Sequence, residues 1–191
     1  GKIGKEHKAD VARDYQKGDR RDASQVLCNG GVAALCALSV LWSPSPWTGG
    51  AFLGALATAN GDTWATELGV LSKRAPFSLT RFRTVRAGSS GAVSALGLFA
   101  SLAGGLAVGL VAWVFPHAFG LPGWVGLAAA GAAGLLGSLT DSLLGGTLQA
   151  SYLCPTCQRE TEAETHACGA STQLTRGFRF VDNDAVNLVA T

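Results

Sequence analysis

The chain has 191 residues, of which 48% are hydrophobic and only 15% charged, and a formal net charge of +2. The charges are unevenly placed: Val32 to Gly61 and Ala87 to Thr140 contain none. Uncharged runs of that length exclude a soluble core helix and mark an integral membrane protein, with no nucleic-acid partner expected.

Taken in order, the chain opens in a polar segment, "GKIGKEHKADVARDYQKGDRRDAS", and closes in "NDAVNLVAT", which reads as the start of a further helix over 183–191. With no methionine anywhere, the chain is expected to be a fragment of one membrane domain, with helices missing at both ends. The first span is Gln25–Trp42, stopped by "SPSPWTGG", whose prolines cannot continue a helix. Gly50–Leu71 follows, then Gly88–Phe115, then, after the break "PHAFGLPG", Gly123–Gln149. At about 1.5 Å per residue each reaches across a hydrocarbon core roughly 30 Å thick. The expected fold class is therefore an all-α multipass bundle built from repeated helical hairpins, with a small zinc-like loop over 150–180. Glycines at four-residue spacing, Gly50/Gly54 and Gly105/Gly109, predict close helix packing.

All fifteen Lys and Arg lie in the N-terminal segment, in "SKRAPFSLTRFRTVR", or beyond Gln149. The positive-inside rule then places those segments in the cytoplasm and the turns at Pro44 and Pro116 outside, for a protein of the cell membrane. Trp42, Trp47, Trp113 and Trp124 beside those turns suit an interfacial belt.

Two motifs repeat: "LATANGDTWATELG" and "LLGSLTDSLLGGTL" each carry an Asp followed by a hydroxyl residue, Asp62-Thr63 and Asp141-Ser142. An ionised Asp in a membrane helix costs about 2.5 to 3.5 kcal/mol on insertion scales, so Asp62, Glu67 and Asp141 should face a cavity, a cation or one another. One reading is interhelical glue. The other is a hard cation held by oxygen ligands, for which Mg²⁺ is the usual companion of phosphates. Arg20, Arg21, Arg81, Arg83 and Arg86 lie at the mouths of these helices and suit phosphate contacts, with topogenic charge as the competing account. The turn "RAGSSG" is expected to open the third helix and offer backbone N–H groups to a phosphate.

After the fourth span, Cys154, Cys157, His166 and Cys168 form a C-x2-C-x8-H-x-C pattern. Three thiolates and an imidazole satisfy a closed, structural Zn²⁺ site; a redox pair and unligated thiols are the alternatives.

In order and spacing, "GDRRDASQVLCNGG", "ATANGDTWATELG", "GSLTDSLLGGTLQA" and "FVDNDAVNL" resemble the motifs of the membrane family catalogued as domain of unknown function 92. That family includes the transmembrane protein 19-like proteins and the plant phytyl-phosphate kinase relatives. The resemblance implies a membrane kinase converting an isoprenoid monophosphate, of phytyl or geranylgeranyl type, to its diphosphate with CTP or ATP and Mg²⁺. It implies Asp62 and Asp141 as Mg²⁺ ligands and Glu67 as a further catalytic ligand or orienting group. Arg20, Arg21, Gln25 and Arg86 would grip phosphates, and Asn29, Asn60, Asn183, Asp184 and Asn187 would complete the pocket. Ser89 and Ser90 stand where the family reads closer to Gly-Thr-Asn-Gly-Gly. An ion-coupled transporter and a CDP-lipid-forming cytidylyltransferase are the rival functions; a homo-oligomer is compatible with either class.

Overall fold

The computed structural model describes residues 23–191. Four long helices dominate it: α1 (Ala23–Trp42), α2 (Pro46–Gly69), α3 (Ala95–Val114) and α5 (Gly123–Thr147). A single-turn α4 (Pro116–Phe119) lies between the last two, and α6 (Asn183–Ala190) ends the chain. Helices α2, α3 and α5 pack on one another, α1 packs on α2, and α6 closes against α1 and α5.

The packing is inverted relative to a water-soluble protein. The apolar core consists of Leu53, Ala57, Ala112, Phe119 and Ala130, mostly small residues. Large apolar side chains face outward instead, including Leu35, Leu41, Phe99 and Leu136, with Trp42 and Trp47 84% and 87% exposed. Hydrocarbon tails solvate such side chains as well as a core would, so the interior is left to small residues that let backbones meet. Among the described residues three helices, α1, α3 and α5, are long and apolar enough to cross a membrane. Helix α2 falls below that hydropathy because it carries Asn60, Asp62, Thr63, Thr66 and Glu67, and the other three long helices surround it.

Glycine spacing is a partial guide to this packing. A Cβ at Gly109 would lie 2.9 Å from Leu127 Cα, and one at Gly105 would run into the Ala130 carbonyl, so both glycines sit at the α3–α5 contact. The Gly50/Gly54 pair does not pack in this way: nothing lies within 4 Å of a Cβ at Gly54, and only Leu121 approaches one at Gly50. Gly61 makes a close approach to two helices at once, where a Cβ would meet Gly134 Cα at 2.7 Å and the Ser101 carbonyl at 2.9 Å. It draws α2, α3 and α5 together immediately beside Asp62.

Two features correct the sequence reading. The third helix begins at Ala95, capped by Ser94, and not at Gly88. Gly88 and Gly91 have φ of 89° and 77°, in the left-handed region that a right-handed helix cannot include. The "RAGSSG" turn is therefore a separate loop and not the N-terminus of a helix. The chain is also not all-α, because two small three-stranded antiparallel sheets are present. The first joins β1 (Phe77–Ser78), β2 (Arg83–Thr84) and β3 (Ala92–Val93) in the order β2-β1-β3. The second joins β4 (Ser151–Cys154), β5 (Arg159–Thr161) and β6 (Gln173–Arg176) in the order β5-β4-β6.

The polar loops gather at one end of the helices. Thr80 Oγ1 donates to the Gly146 carbonyl at 3.2 Å, and Arg176 Nη2 donates to the Gly145 carbonyl at 3.2 Å. A Cβ on Gly91 would meet the Ser142 carbonyl at 2.6 Å, so the loop lies directly on the last turns of α5. At the other end Gly49 abuts the Phe119 backbone, and the Phe52 and Phe119 rings stack at 5.9 Å.

Candidate functional site

Helices α2 and α5 bring Asp62 and Asp141 within electrostatic reach of each other, and Glu162, just beyond β5, joins them. Asp62, Asp141 and Glu162 are each half-buried. The Asp141 Oδ1 atom is buried and accepts no hydrogen bond. A buried carboxylate oxygen without a donor is costly unless a cation or a ligand satisfies it, and acidic neighbours add repulsion that a cation would relieve. The donor set, carboxylate oxygen with hydroxyls nearby, fits a hard divalent ion such as Mg²⁺.

Cations border the acids. Arg81 Nη1 pairs with Glu160 Oε1 at 2.7 Å. Arg176 is half-buried, its Nε has no partner, and it lies within the fields of Arg81, Glu160 and Glu162. Burial, followed by the neighbouring Arg81 charge, pushes the Arg176 guanidinium below its ordinary range. An anionic ligand would reverse both penalties.

The remaining residues expected at the site are dispersed. Arg20 and Arg21 lie outside the described residues. Glu67 is half-buried one turn beyond Asp62 on α2, and Arg86 is exposed in the loop after β2. Gln25 and Asn29 are half-buried on α1, where Asn29 Nδ2 donates to the Gln25 carbonyl at 3.0 Å within the helix. Asn60 is spent on helix packing, donating from Nδ2 to the Gly104 carbonyl at 2.8 Å. Asp184 and Asn187 are buried on α6, and Ser24 Oγ donates to Asp184 Oδ2 at 2.7 Å, tying α1 to α6. Asn183 borders a shallow cleft of about 180 Å³ together with Gln149, Tyr152, Glu162 and Arg179. Ser89 and Ser90 are half-buried in the glycine loop. Sequence reasoning missed Glu162 and Arg176. The only available signal was their charge beside the cysteine loop, and nothing local distinguishes them from Glu164 or Arg179.

The cysteine loop folds into a four-ligand cluster. One ligand atom from each of Cys154, Cys157, His166 and Cys168 lies within 4.8 Å of the others. Cys154 Sγ is 3.6 Å from Cys168 Sγ, close to the roughly 3.8 Å that a tetrahedral zinc with 2.3 Å Zn–S bonds would set. The Cys157 backbone N–H donates to Cys154 Sγ at 3.4 Å. Burial raises the Cys154 thiol, but N–H donation from Cys157 and Thr156 outweighs it, so its net shift is downward. Cys157 is pushed up to about 11, first by its hydrogen bond with Cys168 and then by burial. Thiols crowded in this way hold protons that a bound metal would displace. The cluster can hold a metal ion such as zinc.

The family description "Integral membrane protein DUF92" matches residues 1–191. The chain belongs to that family. Protein PGR of Arabidopsis thaliana is similar to this DUF92 chain, 32% identical over 211 residues, covering 99% of the chain and 72% of the plant protein. An uncharacterized membrane protein of Methanocaldococcus jannaschii is 32% identical, covering 65% of the chain and 50% of that relative. One from Synechocystis is 31% identical, covering 78% of the chain and 57% of that relative. The chain thus spans about half the length of the archaeal and cyanobacterial relatives. No solved structure matches it.

Proposed function

We propose that this DUF92 protein is a membrane-embedded phosphotransferase that converts an isoprenoid monophosphate, of phytyl or geranylgeranyl class, to its diphosphate with CTP or ATP as donor. The observation that carries the reading is the buried, undonated Asp141 Oδ1 within reach of Asp62 and Glu162. Asp62 and Asp141 would hold Mg²⁺, with Glu67 orienting, and the ion would neutralise charge on the donor phosphates. Arg176 and Arg86, with Arg20 and Arg21, are the cations suited to grip phosphate. A phosphate acceptor is already ionised at neutral pH, so the site needs no strong general base. In this reading α1, α2, α3 and α5 cross the bilayer as two duplicated hairpins, with the polar loops in the cytoplasm and the prenyl chain against the small-residue faces. The zinc cluster is structural, since all four ligand positions are taken by the protein.

The test incubates purified protein in lipid nanodiscs with labelled CTP or ATP, Mg²⁺ and phytyl or geranylgeranyl monophosphate. Labelled lipid diphosphate is expected. A CDP-lipid product would identify a cytidylyltransferase, and no labelled lipid would overturn the enzymatic reading.

A further inference from the structure

The hairpin β4–β5 begins at the metal cluster and ends at the acids. Cys154 pairs with Arg159, Leu153 with Glu160 and Tyr152 with Thr161. Cys154 and Cys157 lie at the closed end of this ladder, so a metal held there sets where the far end of β5 lies. Glu160 on β5 and Glu162 just beyond it both reach the loop between α2 and α3. Glu160 takes Arg81 at 2.7 Å, and Ser90 Oγ donates to Glu162 Oε1 at 2.6 Å. Ser90 sits in the double turn between Gly88 and Gly91, closed by Ser89 N–H to the Arg86 carbonyl and Ala92 N–H to the Ser89 carbonyl, both at 3.1 Å. That turn rests on α5 one turn beyond Asp141, and Glu162 acts electrostatically on Asp141 itself.

We propose that Glu162 is a positioning residue of the phosphotransfer site: carried in by the metal-clipped hairpin, it holds the Ser90 turn over the Asp62–Asp141 pair, so the zinc cluster governs the site from outside it. This rests on the phosphotransferase reading. The hairpin buries only a few side chains, Tyr152, Cys154 and Thr161 among them, too few to hold it in register without the metal. Loss of the metal therefore releases Glu162, and with it the turn, while α2, α3 and α5 keep their own packing.

The test uses the full protein in nanodiscs and two readouts, amide hydrogen exchange over 86–92 and steady-state kinetics. Glu162→Ala, Ser90→Ala and zinc removal by chelation should each speed exchange over 86–92 by about tenfold, the loss of a charge-assisted hydrogen bond. Exchange in α3 and α5 should stay unchanged. The same three changes should lower kcat about tenfold or more with little change in KM for the nucleotide. Glu162→Gln keeps an oxygen that accepts from Ser90, through a weaker neutral hydrogen bond, and should restore most of both readouts. Failure of Glu162→Gln to restore them would overturn the positioning role in favour of direct contact with the reacting groups. Unchanged exchange over 86–92 in Glu162→Ala or after chelation would overturn the link altogether. A wild-type protein without transferase activity would sink the phosphotransfer reading instead, and the exchange arm would still decide whether the metal clip holds the loop.

Discussion

Replacing Asp141 with Asn separates a cation site from interhelical glue. The substitution preserves shape but removes a half-buried acidic charge on which Asp62 and Glu162 both act. Like charges in close contact at an effective dielectric near 20 repel by up to about 4 kcal/mol. Without Mg²⁺ the Asp141→Asn protein should therefore be at least as stable as wild type, because its Oδ1 loses no hydrogen bond. With Mg²⁺ the order reverses. A ligand at a hundred times its Kd stabilises the native state by about 2.7 kcal/mol, and the variant should forfeit most of that. Turnover should fall at least about 100-fold, on the order of the 3 kcal/mol typical of losing a strong electrostatic contribution. The assay is thermal unfolding in nanodiscs across a Mg²⁺ titration, with kinase turnover measured on the same preparation. If Mg²⁺ shifts wild type and variant equally, or if turnover is near normal, the cation site is wrong. If the variant simply unfolds, Asp141 is glue.

Gly61→Val should lose about 1 to 3 kcal/mol or more of stability, since its side chain would be driven into the Gly134 and Ser101 backbones; a melting temperature equal to wild type would refute the close approach. Metal analysis should find about one zinc per chain, absent in Cys157→Ser, because a closed site needs all four ligands. Equal zinc in both proteins would remove the site. Cysteines introduced at exposed Ser43 and Thr84 should react with a membrane-impermeant thiol reagent from opposite faces of the bilayer, Thr84 from the cytoplasm. Labelling of both from one face would refute the proposed topology. Arg176→Gln should raise KM for the phosphate-bearing substrates about tenfold or more, as expected for losing a partly buried charge-assisted contact; an unchanged KM would place Arg176 outside the binding site.

What the sequence alone determined is what depends on neighbours along the chain. Apolar runs longer than any soluble helix need, prolines that end α1 and open α2, and a cysteine spacing able to close on one metal are all local consequences of composition and spacing. The repeated Asp-hydroxyl pairs also stand out in the sequence, since carboxylates are rare in apolar helices. Tertiary structure decided the rest. Gly88 and Gly91 take positive φ because the loop must lie flat on the end of α5, which delays α3 to Ala95. Two-residue strands such as β1–β3 pair across loops, and such pairing has no period to read. Asn60 reads like a site residue and is consumed by the Gly104 carbonyl on another helix. Glu162 and Arg176 read like ordinary loop charges, yet a sheet folded around four side chains able to hold a metal brings Glu162 to Asp141 on a distant helix and sets Arg176 in the field of Glu160 and Glu162. A charge's role depends on the field around it, and in this chain that field comes from segments far apart in sequence.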